Sequence, residues 1–303
     1  MSPRVLFIFL DGVGIGPVGL DVNPFLTARI PTLTRLMGGR VPTLESPLVE
    51  GPGGRSFPLD ATLDVEGTPQ SGTGQAALLT GESTAEIFGS HFGPWTPVRL
   101  RPLVEEQSLL KRLAGAGRSV AFANAYPRGW PGSRGGRRIA APPLAARGAG
   151  VLDRHEEALA RGDAVSSEIV NDGWRHQLGY EWVPDVTPRE AGANLARIAS
   201  RYDLTLYAHY ATDGAGHRRR MAGAITALET VDAFLSGVLG HLGRDVLIIM
   251  ASDHGNIEDV RGGHTRNPAL GIASGPEAER AGRLRDIRDV APFLVELSSG
   301  RAS

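Results

Sequence analysis

The chain opens with a run of six apolar residues, 5–10, that stops at an acid, Asp11, and a glycine-rich turn in the stretch VLFIFLDGVGIG. A short apolar run rich in Val, Ile and Phe and bounded by Gly is typical of a strand buried on both faces of a parallel sheet. Asp11 then lies at the carboxyl end of the strand. In open α/β sheets this edge is where ligands bind.

Three further apolar runs with strand character follow, at 118–126, 202–213 and 244–255. Helix-like segments, in which apolar residues recur at spacings of three and four, precede them. These segments lie at 103–117, 187–201 and 223–243. The alternation predicts an α/β fold, a three-layer α/β/α sandwich with a mostly parallel central sheet.

Two stretches, 82–106 and 127–186, depart from this pattern, and the second is rich in Gly, Pro and Arg. We expect them to form loops or a small, reduced cap over the edge of the sheet. The whole chain, 1–303, is then one domain, because neither a repeat of fixed period nor a long linker divides it.

Composition narrows the classes of function. The net charge of −1 and pI near 6.7 give no overall attraction to nucleic acid or to anionic membranes. The chain contains no cysteine, which excludes disulfides, thiolate metal ligands and cysteine nucleophiles. The apolar run before Asp11 is too short for a signal peptide or a membrane span. We therefore expect a cytoplasmic protein without a nucleic-acid or membrane partner; the oligomeric state is not predicted.

Acids and histidines gather where the predicted strands end. Asp213 and His217 are four residues apart, so one helical turn brings both side chains to the same side. Asp253 and His254 are adjacent, and in a regular strand they would point to opposite faces. Gly255 permits the chain to leave the pleat, which lets both side chains reach one ion.

His264 follows ten residues after His254, in a glycine-containing loop. Taken singly, an acid at a strand end is more often a helix cap or a turn former than a ligand. The convergence of several acids and histidines on one edge instead favours a metal site. Asp and His are ligands of Zn and Mn, and three of each, with a hydroxyl, suffice for two divalent ions. Four other histidines lack a partner acid at a useful spacing and are not expected to be ligands: His155, His176, His209 and His241.

A candidate nucleophile lies in the stretch GTPQSGTGQAALLTG, residues 67–81. Small and hydroxyl residues lead into an apolar segment, which is typical of a loop that feeds the amino terminus of a helix, where an anion is favoured. We select Ser71 as the catalytic hydroxyl, with Thr73 and Thr68 as alternatives. Beside divalent metals, a serine can be activated without a histidine base. By itself, the stretch would suit an N-cap and a turn.

Candidate substrate-binding groups are polar side chains near the same edge. Asn124 ends the 118–126 run, Thr73 follows the nucleophile, and Arg218 follows His217. The Gly- and Pro-rich stretch adds arginines that can hold a phosphate or carboxylate through paired hydrogen bonds, although solvated loop charge in an arginine-rich chain is the favoured interpretation. These are Arg128, Arg134, Arg137, Arg138 and Arg147.

Together these residues resemble a known family. The motifs are S-x-x-G-Q at 71–75, DGAGH at 213–217, DHGNIED at 253–259 and HTRNP at 264–268. With Asp11 they resemble the alkaline phosphatase superfamily, in the branch of cofactor-independent phosphoglycerate mutase and phosphopentomutase. The resemblance covers about 1–81 and 187–275.

The resemblance implies a ligand set and a reaction. One ion would be held by Asp213, His217 and His264. The other would be held by Asp11, Ser71, Asp253 and His254. Two ions, Mn or Zn, would hold a phosphoryl group of a small phosphorylated substrate while Ser71 attacks it and forms a phosphoserine.

Several functions remain open. In the branch that the chain resembles, a large cap follows the nucleophile helix, whereas only 82–106 occupies that place here. We therefore expect a phosphatase or phosphodiesterase, with a phosphomutase as the alternative. A sulfatase is disfavoured, because that branch has C/S-x-P-x-R at the nucleophile and Ser71 is followed by Gly72 and Thr73. A non-catalytic binding module built on the arginines is the most distant alternative.

Overall fold

A seven-stranded sheet forms the centre of the computed structural model, which describes residues 2–132, 136 and 138–299. The strands are β1 (Arg4–Leu10), β2 (Val49–Gly51), β3 (Gly54–Leu59), β4 (Val120–Phe122), β5 (Leu204–His209), β6 (Val246–Ala251) and β7 (Ala269–Ser274). Their order across the sheet is β2-β3-β7-β6-β1-β5-β4. The four runs predicted to be strands form β1, β4, β5 and β6.

The sheet is parallel on one side and antiparallel on the other. β1 pairs in parallel with β5 and β6, and β5 pairs in parallel with β4. β7 is antiparallel to β6 and to β3, and β2 is antiparallel to β3. The α/β class is confirmed, and only β2 and β7 run against the other strands.

Helices cover both faces of the sheet. The α-helices of the described residues are α1 (Pro31–Leu36), α2 (Ser71–Thr80), α3 (Thr84–Phe88), α4 (Arg101–Gln107), α5 (Leu109–Gly115), α6 (Ala141–Ala149), α7 (Glu156–Ala160), α8 (Pro188–Ala199), α9 (Ala211–His217), α10 (Met221–His241), α11 (Ala278–Ala281) and α12 (Val290–Ser299). Short 3-10 turns lie at Pro24–Leu26, Val98–Leu100 and Ile287–Asp289, and a π turn at Gly173–Gln177.

Alternate side chains of β1 enter two separate cores, as predicted for a strand buried on both faces. Phe7 and Phe9 pack in the core that contains α2, α5, α6 and α12. Leu6 and Ile8 pack in the core that contains α1, α8 and α10. Helix α10 is long and apolar enough to cross a membrane by length and composition, but it packs against α8 and contributes to this second core. Asp11 follows β1 directly, so the strand that anchors both cores also fixes the position of the site.

Local sequence explains where two helices begin and end. Thr187 caps α8 through a capping box with Glu190, as the order Thr, Pro, x, Glu predicts. The predicted helix at 103–117 is instead two helices, because Ser108 has an extended backbone, with ψ of 155°, and caps the second one.

The two irregular stretches carry short helices. Residues 82–106 contain α3 and most of α4, and residues 127–186 contain α6, α7 and the π turn. Their action as a cap stays a prediction. Arg134 and Arg137 lie outside the described residues.

Candidate metal centre

The candidate ligands lie at the carboxyl ends of three neighbouring strands. Asp11 follows β1, and Asp253 and His254 come just after β6. Helix α9 begins two residues after β5 and carries Asp213 and His217. Because β6, β1 and β5 are adjacent and parallel, the topology brings these segments to one edge of the sheet.

The outer group consists of Asp213, His217 and His264, whose ligand atoms lie within 4.8 Å of one another. Nε2 of His217 lies 3.2 Å from Asp213 Oδ2, and Nε2 of His264 lies 3.3 Å from Asp213 Oδ1. The two imidazole Nε2 atoms are 3.0 Å apart. Three donor atoms therefore face one small volume, the arrangement that a bound cation requires.

The inner group consists of Asp11, Asp253 and His254, all of them buried, and Ser71 completes it. Nε2 of His254 lies 2.9 Å from Ser71 Oγ, 3.4 Å from Asp11 Oδ1 and 3.6 Å from Asp253 Oδ2. All three contacts of the ring with this group thus involve Nε2 and a neighbouring oxygen, and the structure gathers the predicted ligands into the two expected sets.

The inner group is not arranged as a serine–histidine–acid triad. In such a triad the acid binds Nδ1, while the serine binds Nε2. Here Asp11 and Ser71 both face Nε2, and Nδ1 of His254 donates to the carbonyl of Gly255 at 3.2 Å. The oxygens of Ser71, Asp11 and Asp253 all lie near Nε2 of His254. This arrangement suits a bound cation better than a proton relay.

Second hydrogen bonds orient the imidazoles for metal binding. A carbonyl oxygen only accepts hydrogen bonds, so Nδ1 of His254 carries the proton in its contact with Gly255. Nδ1 of His264 likewise donates to the carbonyl of Pro69 at 3.1 Å. The lone pair of each neutral ring is thereby on Nε2 and points into the site, as in histidines that bind metals.

Each inner carboxylate has one buried oxygen without a hydrogen-bond donor among the described residues. Asp11 Oδ1 and Asp253 Oδ2 are buried and accept no hydrogen bond from the part of the chain that the structure describes. Burial and the nearby charge of Asp11 raise the pKa of Asp253 to about 8. Burial and the charge of Asp213 raise the pKa of Asp11 well above its usual value. Divalent ions fit this donor set, because they satisfy these oxygens and remove the repulsion between the acids.

Asp213 differs from the inner acids. Burial raises the pKa of Asp213. The hydrogen bonds with His264 and Asn256, together with the nearby His254, outweigh burial and lower this pKa to about 2. Its carboxylate is thus ionised in the ordinary pH range. Asn256 donates its side-chain amide to Asp213 Oδ1 at 2.6 Å, which fixes the carboxylate against His264.

Glycines allow the site to close around the ligands. Gly12 has a φ of +66°, and a Cβ there would lie 2.5 Å from Asp213 Oδ1. A Cβ on Gly74 of α2 would lie 2.8 Å from the carbonyl oxygen of Asp253. The helix that begins at Ser71 can therefore approach the Asp253 segment only because position 74 has no side chain.

Sequence reasoning missed three residues that support the ligands. Glu258 is fully buried and accepts hydrogen bonds from the amides of Gly14 and Asn256 at 2.9 and 2.7 Å. It also accepts from Thr265 Oγ1 at 2.6 Å and from Asn267 Nδ2 at 3.0 Å. The segments after β1 and β6 and the His264 loop thus meet on one carboxylate. The second missed residue is Asn256, which donates to Asp213 Oδ1, and the third is Gln75, which donates to Asp11 Oδ2 at 3.0 Å.

Two of the predicted substrate-binding residues have structural contacts. Thr73 Oγ1 donates to the carbonyl of Gln70 and accepts from the amide of Phe92. Asn124 binds the main chain of Ala208 in β5 through both ends of its amide, at 2.7 and 2.8 Å. These bonds hold the nucleophile helix and the sheet edge, and a role in substrate binding stays a prediction for both.

Two of the predicted arginines form ion pairs with glutamates. Arg128 pairs with Glu157 at 3.0 Å, and Arg147 donates to Glu105 at 2.8 Å. Arg218 is exposed at the end of α9. Arg138 lines the cavity beside Ser71. Substrate contacts of Arg128 and Arg218 stay predictions.

Comparison with known proteins supports the resemblance found in the motifs. A family model described as the metalloenzyme superfamily matches residues 178–297, the segment that contains five of the ligands. The 2,3-bisphosphoglycerate-independent phosphoglycerate mutase of Desulforudis audaxviator is 35% identical over 128 residues, which cover 39% of this chain and 25% of that protein. The phosphopentomutase of Shewanella baltica is 36% identical over 158 residues, which cover 48% of this chain and 37% of that protein. The chain thus matches well under half the length of these curated relatives.

The fold is also found in solved structures. The alkaline phosphatase of the Antarctic bacterium TAB5 superposes with a TM-score of 0.55 and 12% identity, over 100% of both chains. At this identity the likeness shows the fold alone. With the family match, it confirms the resemblance to the alkaline phosphatase superfamily.

Proposed function

We propose that this chain, which carries the ligand segment of the metalloenzyme superfamily on an alkaline-phosphatase-like fold, is a two-metal enzyme that transfers phosphoryl groups. Its expected reaction is hydrolysis of a small phosphate monoester or diester. One observation carries the proposal: Ser71 Oγ lies at the start of α2, 2.9 Å from His254 Nε2 and beside two buried carboxylates. Nucleophile and ligands therefore share one small volume.

The residues divide into holding and reacting groups. Asp213, His217 and His264 would hold one ion, and Asp11, Asp253 and His254 would hold the other. Two divalent cations, Mn or Zn, would, when bound, neutralise charge on the phosphoryl oxygens and lower the pKa of a nearby hydroxyl. The beginning of α2 adds the positive end of its helix dipole.

Ser71 forms the covalent intermediate. Its Oγ gives up a proton and attacks phosphorus, so an Oγ–P bond forms while the P–O bond to the leaving group breaks. The departing oxygen takes up a proton and leaves as an alcohol. A water molecule then attacks the phosphorus of the intermediate, which restores the Ser71 hydroxyl and releases inorganic phosphate from a monoester substrate or a phosphate monoester from a diester.

Hydrolysis suits the chain better than a mutase reaction. A mutase must retain its intermediate in a closed site with little water, so that the phosphate returns to it. Between α2 and α5, residues 82–106 provide only α3, a 3-10 turn and α4. Phosphomutase activity is the second candidate, because the matched curated relatives carry phosphomutase names.

The proposal is tested with Mn or Zn and p-nitrophenyl phosphate. We expect metal-dependent hydrolysis, and Ser71→Ala should lower kcat by at least about a hundredfold. Ser200→Ala, at the exposed end of α8, is the matched control and should keep full activity. Full metal-dependent activity of the Ser71→Ala protein would show that another group is the nucleophile. Phosphorus NMR of a sugar phosphate separates the candidates, because hydrolysis gives free phosphate and a mutase moves the phosphate.

A further inference from the structure

A cavity of about 520 Å³ opens beside Ser71, within the size range of small-molecule sites. Ser71, Asp11 and Asp213 form one part of its lining. Another part is formed by four aromatic residues, which we call the aromatic wall: Trp95, Tyr126, Trp130 and Tyr210. Neither the ligands nor the nucleophile explain why four aromatic residues line the cavity that contains the reacting hydroxyl.

The charges of the described lining favour a substrate body without further negative charge. Apart from the metal ligands Asp11 and Asp213, the charged residues of the described lining are Arg138 and Glu168, one of each sign. A carboxylate or a second phosphate on the substrate would find one cation there, Arg138, and the charge of Glu168 would oppose its binding. The lining instead suits an uncharged group next to the phosphoryl group.

The rings of the wall are held by neighbouring side chains. The centroids of Tyr126 and Trp130 are 4.4 Å apart, and Tyr126 also stacks on Phe122 at 6.0 Å. Tyr210 packs edge-on against Phe9 of β1 at 6.1 Å. These contacts fix the rings before a substrate enters, so little conformational entropy is lost on binding.

Trp95 differs from the other three residues of the wall, because 40% of its surface is exposed. Its main chain is nevertheless fixed against the nucleophile helix, since a Cβ on Gly72 would overlap the carbonyl oxygen of Trp95. The next residue, Thr96, donates its amide to the carbonyl of Ile139 at 3.0 Å. An indole that is exposed in the cavity on a fixed backbone is available to bind a ligand.

We infer that the aromatic wall binds a planar ring of the substrate, so the preferred substrates are phosphate monoesters that carry a flat aromatic ring, such as nucleoside monophosphates. The inference rests on the proposed function, which supplies the phosphoryl group. A flat ring stacks on aromatic side chains through its π-face. This stacking does not depend on which hydrogen-bonding groups the edge of the ring carries. The wall thus selects the body of the substrate, and Ser71 and the ligands act on its phosphate.

Two probes test the inference. Adenosine 5′-monophosphate carries a flat adenine base, and ribose 5-phosphate has a hydroxyl in place of that base. With the Mn-loaded protein, we expect kcat/KM to be at least about tenfold higher for the nucleotide, the effect of one stacked ring. Trp95→Leu should abolish most of this preference, because it lowers kcat/KM for the nucleotide more than kcat/KM for ribose 5-phosphate. Trp95→Phe keeps a ring and should keep the preference. Trp182→Leu is the control, because Trp182 is 57% exposed and is not part of the cavity lining.

A binding measurement separates this inference from the proposed function. Isothermal titration of the Mn-loaded Ser71→Ala protein should show at least about tenfold tighter binding of the nucleotide, again lost in the protein that also carries Trp95→Leu. If the nucleotide binds in this way but neither probe is hydrolysed by the unmodified protein, the inference stands and the proposed function is wrong. If both probes are hydrolysed with equal kcat/KM, or if Trp95→Leu leaves the preference unchanged, the inference is overturned and the proposed function stands.

Discussion

His217 and His264 face each other through their Nε2 atoms, 3.0 Å apart, with Asp213 against both. Nδ1 of His264 donates to Pro69, so the Nε2 lone pair of His264 points at His217. Two imidazole nitrogens approach this closely when a proton or a cation lies between them. The Asp213 carboxylate, which contacts both imidazoles, adds a third ligand atom at the same place and favours the cation.

Metal binding at the inner group should depend on pH. Burial and the charge of Asp11 raise the pKa of Asp253 to about 8, so the ion-free protein carries a proton there at neutral pH. A metal ion must displace this proton, and the apparent affinity should rise by about tenfold per pH unit until the carboxyl is ionised. Calorimetry with Mn in two buffers of different ionisation enthalpy measures the released proton, and Asp245→Asn, an exposed carboxylate, is the control. Equal heats in both buffers would contradict the prediction.

Gly12 should be needed for metal binding as well as for folding. Gly12→Ala introduces a Cβ 2.5 Å from Asp213 Oδ1 at a φ of +66° and should displace that ligand. We expect the affinity for Mn to fall by about tenfold or more. Gly117→Ala is the matched control, because Gly117 has a φ of +75° and nothing within 4 Å of the added Cβ. Both variants should lose about 1–2 kcal/mol of stability from the backbone strain, but only the first should lose affinity. An equal loss in both would show that strain, not the ligand, is responsible.

Glu258 should position the ligand loops through its charge. Glu258→Gln keeps the shape but replaces one acceptor oxygen by an NH2 donor, which then faces either the main-chain amides of Gly14 and Asn256 or the side chains of Thr265 and Asn267, all of which are donors. Denaturant unfolding should show a loss of about 1–3 kcal/mol, the cost of unsatisfied buried donors. Titration should show weaker Mn binding, whereas Glu45→Gln, on the surface, should change neither property. If Glu258→Gln binds Mn with unchanged affinity, Glu258 contributes to stability but does not position the metal ligands.

The parts of the fold that the sequence predicts are those in which local pattern and burial agree. β1 is an unbroken apolar run buried on both faces, and Thr187 supplies a complete cap to α8. The antiparallel strands were not predicted, because β3 contains Pro58 and β7 contains Gly271. The pairing of β3 with β7 depends on residues that are far apart in the chain. Phe57 of β3 lies opposite Gly271 of β7, and a Cβ on Gly271 would overlap the Phe57 ring.

The site also combines features that local sequence predicts with features that depend on distant residues. That Asp11 and Asp253 lie at one edge of the sheet follows from parallel strands, which the alternation of strands and helices predicts. The role of Glu258 does not follow, although it lies in the same motif as Asp253. Its hydrogen bonds join Gly14 and Thr265, which are far apart in the chain and meet only in the folded structure.

The position of bound ions tests the two-metal site most directly. We predict that a crystal of the protein grown with Mn will show two anomalous peaks about 4 Å apart. One should lie among Asp213, His217 and His264, and the other among Asp11, Asp253 and His254, within bonding distance of Ser71 Oγ. Peaks at other places, or no peak among these six side chains in a protein saturated with Mn, would contradict both the metal centre and the phosphoryl-transfer function proposed for it.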